Sequence, residues 1–243
     1  CIERAGADAG KLSWPGIAGD REHHRRVKAQ RFAEAGRLQI EDFLEAPDAK
    51  ELAQSLEDLD WRLVLNSGTR HVDIPNAQLL AMEPTRQAAI REEVRKNATH
   101  GFQYIYENYP VADIADAGQL DHRELKAIYD TMNSDVVRAF LRQVTCEATD
   151  FCDMQATRYS AGHFLTIHTD DAGAKNRKLA YVLSLTDNWS PTWGGQLQFL
   201  DNRRNVTRSY VPRFNALSVL KGESTAKKKG RGKREESEED YEE

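Results

Sequence analysis

Apolar residues along this chain fall into two regimes and then fade out. In "APDAKELAQSLEDLD", Leu52, Leu56 and Leu59 recur at spacings of four and three. That spacing places them on one face of a helix whose first turn suits Pro47. A short helix is expected over "HRRVKAQRFAEAG", stopped by Gly36, and another from Pro84 through "TRQAAIREEVRKNATHG" to Gly101. Two more are expected at 121–132 and 134–144, the second capped by Ser134. Between these, "RLQIEDFL" and "WRLVLN" (61–66) have strand character and "SGTRHVDIP" reads as a loop. "FQYIYENYP" is an aromatic segment expected to pack on the core.

After Cys152 the period changes. "MQATRYS", "HFLTIHTD", "KLAYVLSL", "GQLQFLD", "VTRSYV" and "FNALSVL" are short β-prone runs separated by Gly, Pro, Asn and Asp. Helices followed by a strand series predict an α+β fold, a strand sandwich or barrel with helices on one face. We divide the chain into a loose segment at 1–24, a domain at 25–221 and a tail at 222–243. The domain has a helical part, 25–150, and a strand part, 151–221. The tail, "ESTAKKKGRGKREESEEDYEE" from Glu223, carries six basic and eight acidic residues and one aromatic, Tyr241. It holds too little apolar surface to offset its ordering entropy and is expected to be disordered.

Composition adds a few exclusions. The chain has 243 residues and a formal net charge of −5, so charge gives no overall pull toward nucleic acid. Its three cysteines, Cys1, Cys146 and Cys152, form no CxxC pair, which argues against a zinc site or a disulfide framework and for a reducing compartment. No apolar run approaches the roughly 18 residues of a membrane span. The first residues lack the apolar stretch of a secretory signal, and the chain starts at Cys1 rather than Met, so the true start is expected to lie upstream. A cytoplasmic protein with no membrane partner is the expectation.

Chemistry concentrates in "RYSAGHFLTIHTD" (158–170). On a strand, residues two apart share a face with Cα atoms roughly 6.5 Å apart, so His168 and Asp170 can reach one cation. Completed by a second imidazole, such a pair is the facial triad of non-haem Fe(II) oxygenases. A bare pair of this kind is more often ordinary surface, and the chain contains another, His71 and Asp73, which we assign to the surface. His163 lies an odd number of residues from His168 and is expected to face away.

The context of the pair is more specific. "RYSAGHFLTIHTDD", "NRKLAYVLSLTDNWSPTWGGQLQFL" and "VPRFNALSVLK" resemble the 2-oxoglutarate- and Fe(II)-dependent dioxygenases of the prolyl-hydroxylase type. The resemblance covers about 30–221 and is strongest over 155–221. It implies a double-stranded β-helix, or jelly roll, with N-terminal helices on one face and the metal at its mouth. It also implies His168 and Asp170 as iron ligands, Tyr159 as a 2-oxoglutarate contact, and Tyr181 either as a second such contact or as a core tyrosine. Fe(2+) with 2-oxoglutarate as co-substrate, L-ascorbate as an accessory, and a proline-containing protein or peptide substrate follow from the same resemblance. So does the reaction, hydroxylation of substrate with decarboxylation of 2-oxoglutarate to succinate.

The chain departs from that pattern after Lys221. No histidine follows His168, and the position expected for the second imidazole falls near Ala226. The closing strands and the basic residue that grips the distal carboxylate are missing as well. The C-terminal strands are therefore expected to be incomplete, through truncation, frame alteration or an incomplete fragment. Glu223 or a tail carboxylate could stand in as a ligand. Two alternatives accompany the enzyme: a catalytically silent jelly-roll binding module, and nucleic-acid binding through "KKKGRGKR". The acidic block beside that basic run disfavours the second.

Overall fold

A computed structural model describes residues 22–168 and 177–222. The first helix, α1 (Glu22–Ala35), ends where Gly36 takes φ +65°, a left-handed angle that glycine adopts without strain. β1 (Arg37–Ile40) follows, then α2 (Ala46–Ser55), β2 (Arg62–Ser67) and β3 (Arg70–Pro75). Next come α3 (Asn76–Leu80), α4 (Pro84–Ala98) and β4 (Tyr104–Tyr109). The helices α5 (Val111–Asp116), α6 (Arg123–Met132) and α7 (Asp135–Thr145) complete the first part. Ser134 caps α7 as expected, accepting the Val137 N–H at 3.3 Å. The remaining strands are β5 (Ala156–Arg158), β6 (Phe164–Leu165), β7 (Leu179–Ser184), β8 (Leu197–Leu200), β9 (Val206–Tyr210) and β10 (Ala216–Lys221).

Among the described residues the strands form three antiparallel sheets, so the chain mixes helix with antiparallel sheet. One has the order β1-β10-β7, a second β3-β2-β4-β5 with β6 also on β4, and β8-β9 form a hairpin. Four strands precede α5, so the helical and strand parts interleave more than the sequence pattern implied. The expected loop at 67–75 is a correction: "RHVDIP" pairs residue by residue with β2. Gly68, at φ +64°, makes the tight turn that turns an apparent loop into a hairpin.

The larger core lies between the β1-β10-β7 sheet and helices α2, α6 and α7. Phe43, Leu44, Leu52, Val111, Val137 and Leu217 are almost wholly buried there. Each large apolar side chain so buried contributes about 2 kcal/mol. Asn215, at φ +58°, knits the core to the turn after β1. Its Oδ1 accepts the Leu44 N–H at 2.9 Å and its Nδ2 donates to the Leu44 carbonyl at 2.7 Å. A smaller core under α4 joins Leu63, Leu65, Ile74, Val94 and Ile105. Among the described residues, no helix is long and apolar enough to cross a membrane.

Candidate functional site

β4 organises the site. Its odd residue Ile105 points into the smaller core, so Tyr104 and Tyr106 line the opposite face. Phe102, just before β4, extends that row. The rings run in contact from His168 to Phe102 (5.4 Å between centroids), Tyr104 (5.6 Å), Tyr106 (5.4 Å) and Tyr159 (5.3 Å, stacked). The expectation for "FQYIYENYP" was thus half right. Ile105 and Tyr109 pack in the cores, while the other rings build a partly open aromatic face. Period-two alternation, applied to this segment, would have found it.

β5 is clamped onto β4 by one ion pair. Arg158 donates from Nε to Glu107 Oε2 and from its terminal nitrogen to Oε1, both at 2.8 Å, and Ser160 Oγ donates to the same carboxylate at 3.3 Å. Arg158 holds the Glu107 carboxyl below the usual carboxylate range. Tyr159, the next residue, remains 48% exposed. Protein atoms crowd its hydroxyl, and this loss of water, with the Tyr106 hydroxyl nearby, pushes its pKa up. His163 closes the following turn: its Nδ1 accepts the Ser160 N–H at 3.1 Å, and burial pulls its pKa down.

The strand expected over 163–170 is shorter than its sequence suggests. Ladder pairing stops at Leu165, because β4 begins at Tyr104 and offers no further partner. Thr166 carries the pairing one step on. Its N–H donates to the Gln103 carbonyl at 3.0 Å, and its Oγ1 accepts the Gln103 N–H at 2.9 Å. His168 lies beyond the strand and is exposed, with Nδ1 donating to the Thr166 carbonyl at 2.9 Å. A carbonyl can only accept, so Nδ1 holds the proton in this bond. That is the arrangement of a metal-ligating imidazole oriented by a second hydrogen bond.

His168 therefore fits iron. Asp170, Glu223 and the whole basic run lie outside the described residues. Among the described residues, no group of three His, Cys, Asp or Glu side chains could hold a metal ion.

The remaining candidates occupy other places. His71 and Asp73 sit on β3 rather than in a loop. His71 bonds Tyr104 Oη through Nδ1 at 2.5 Å, and Asp73 accepts twice from Arg62 Nε, at 2.9 and 3.0 Å. Tyr181, on β7, packs against the larger core beside Leu179 and Leu183. Its hydroxyl is buried without a hydrogen-bond partner of good geometry, and burial and the neighbouring Cys152 thiol push its pKa up. The Cys152 thiol is itself pushed up to about 11 by burial, which makes it a poor nucleophile. Gly194 and Gly195 both take positive φ, +74° and +78°, in the loop before β8, and the Gly194 carbonyl accepts from Trp189 Nε1 at 2.8 Å.

Residues 154–230 match the family model of the 2OG-Fe(II) oxygenase superfamily, a span of less than half the chain. The match supports a dioxygenase-type function that uses Fe(2+) and 2-oxoglutarate. It includes β5 to β10 and position 226, where this chain has alanine. No curated protein matches the chain.

Proposed function

We propose that this chain is a jelly-roll Fe(II)/2-oxoglutarate-dependent dioxygenase that hydroxylates a peptidyl proline. The match over 154–230 carries the reading, and the orientation of the His168 ring supports it. His168, through Nε2, and Asp170 are the iron ligands of this proposal, and Tyr159 is the co-substrate contact. The core-side position of Tyr181 favours its structural alternative. Iron with 2-oxoglutarate supplies oxygen-dependent hydroxylation coupled to release of succinate. The chain's own part is to orient His168 through Thr166 and to hold Tyr159 beside Tyr106. A cytoplasmic location and L-ascorbate dependence belong to the same proposal.

The test is succinate formation by the purified chain given Fe(II), 2-oxoglutarate and oxygen, with and without proline peptides. Succinate that His168→Ala abolishes supports the proposal. A second reading, a silent binding module, is favoured by alanine at position 226, inside the matched span, where the second imidazole is expected. Binding of 2-oxoglutarate without succinate would select it.

A further inference from the structure

The strands β5 and β6, three and two residues long, both pair with β4 and are joined through the turn Ser160–His163. So little ladder pairing leaves the turn to decide where the residues between them stand. It is closed twice. The His163 N–H donates to the Ser160 carbonyl at 2.9 Å, and Gly162 takes φ +86°, the positive angle that a type II turn needs at its third residue. In the opposite direction, the Ser160 N–H donates to His163 Nδ1 at 3.1 Å.

The second bond sets a condition on the imidazole. An N–H can only donate, so Nδ1 must carry a lone pair. The imidazolium form, with a proton on each ring nitrogen, cannot make this bond. Charged groups from three elements face the turn. Arg91 of α4, Glu107 of β4 and Arg158 of β5 act on the ring, and a Cβ added at Gly162 would stand 2.9 Å from a terminal nitrogen of Arg95, also on α4. Burial lowers the pKa of the ring, and Arg91 and the Arg158 guanidinium push the same way. The Glu107 carboxylate and the Arg158 backbone push back without reversing the direction.

We propose that His163 is a pH-dependent positioning residue: unprotonated, it locks the 160–163 turn and holds Tyr159 against Tyr106; protonated, it releases Ser160 and loosens Tyr159. Tyr159 is the residue next to the bond that breaks, and its half-exposed ring rests on Tyr106 with 5.3 Å between centroids. The sign follows from linkage. A histidine held below its ordinary pKa takes up a proton more readily once its turn has opened. The closed turn is therefore favoured above about pH 6.5 and weakens as pH falls through the lowered value. A pH-sensitive co-substrate contact at Tyr159 is the consequence, and that consequence alone rests on the proposed oxygenase function.

The test follows the backbone amide signals of Tyr159 and Ser160 in proton–nitrogen correlation spectra of the full chain, from about pH 8 to about pH 5. Both should move together with one midpoint below about 6.5, shared by the His163 ring signals. In His163→Asn the side-chain oxygen takes the place of Nδ1 and cannot titrate, so both amides should keep their high-pH positions throughout. In His163→Ala they should show the low-pH positions at every pH. Parent amides that stay still through the His163 midpoint overturn the inference. So does a movement that persists in His163→Asn, which would assign the titration to Glu107 or another group. No iron, 2-oxoglutarate or turnover enters the readout, so its failure and that of the oxygenase reading are separate results.

Discussion

Glu107 and Arg158 join β4 to β5 through two parallel hydrogen bonds of 2.8 Å, one residue before Tyr159. The pair is partly open to water, so its worth is set by geometry more than by charge. It nevertheless decides where Tyr159 stands, because β5 is only three residues long and has little other pairing.

The Glu107 carboxyl is held low in the folded chain, chiefly by Arg158. A depressed carboxylate stabilises above its unfolded pKa and loses that contribution as pH falls through the folded value. Stability should therefore drop on acidification below about pH 4.5, the ordinary glutamate range. Glu107→Gln should flatten this part of the profile and cost roughly 1 kcal/mol or less at neutral pH. Thermal melts across pH check it; an identical acid limb in the variant would count against the assignment.

Asn215 meets both backbone groups of Leu44 inside the core, where Leu44 is 1% exposed. Asn215→Ala would strand a buried donor and a buried acceptor, and place alanine at φ +58°. The expected loss is about 3 kcal/mol. Urea unfolding measures it, and a loss within experimental error would show that the turn relaxes to new partners.

Tyr181→Phe removes a buried hydroxyl without a partner. The variant should be as stable as the parent or more stable by up to about 1 kcal/mol. 2-Oxoglutarate binding should be unchanged if Tyr181 is a core tyrosine. Calorimetric titration that shows weakened binding in a stable variant would restore its role as a contact.

Iron should bind weakly. In the proposed site His168 and Asp170 would supply two ligands where the facial triad has three, and fewer protein bonds mean a more hydrated, looser ion. Anaerobic Fe(II) titration followed by absorbance or calorimetry should give an affinity weaker than micromolar. A tighter site abolished by His168→Ala would reveal another residue completing the set.

The proposed oxygenase activity can also be built up. Strands added after Gly222 that carry a histidine and a basic residue should increase succinate release coupled to 2-oxoglutarate and oxygen. His168 and Tyr159 are already held by Thr166 and Tyr106. Asp170→Ala in the extended chain should abolish turnover. A folded extension that binds both Fe(II) and 2-oxoglutarate without turnover would favour the silent module.

The sequence by itself determined the local elements whose signals are short-range. Helix stops at Gly36, the Ser134 cap, the Pro84 start and the strand runs from "LAYVLS" to "ALSVLK" are legible because caps, proline geometry and apolar period act within a few residues. The resemblance to the 2OG-Fe(II) oxygenases was legible through the motif runs around His168. Only tertiary structure decided that "RHVDIP" is a strand, because its pairing partner β2 supplies the hydrogen bonds. Pairing likewise decided that the β6 ladder ends at Leu165, where β4 runs out, leaving His168 to be oriented by Thr166. The contacts of Tyr159 with Tyr106 and of His168 with Phe102, made between separate segments, depended on pairing in the same way. Ring contact across strands depends on which residues stand opposite one another, and the spacing within a single strand does not contain that information.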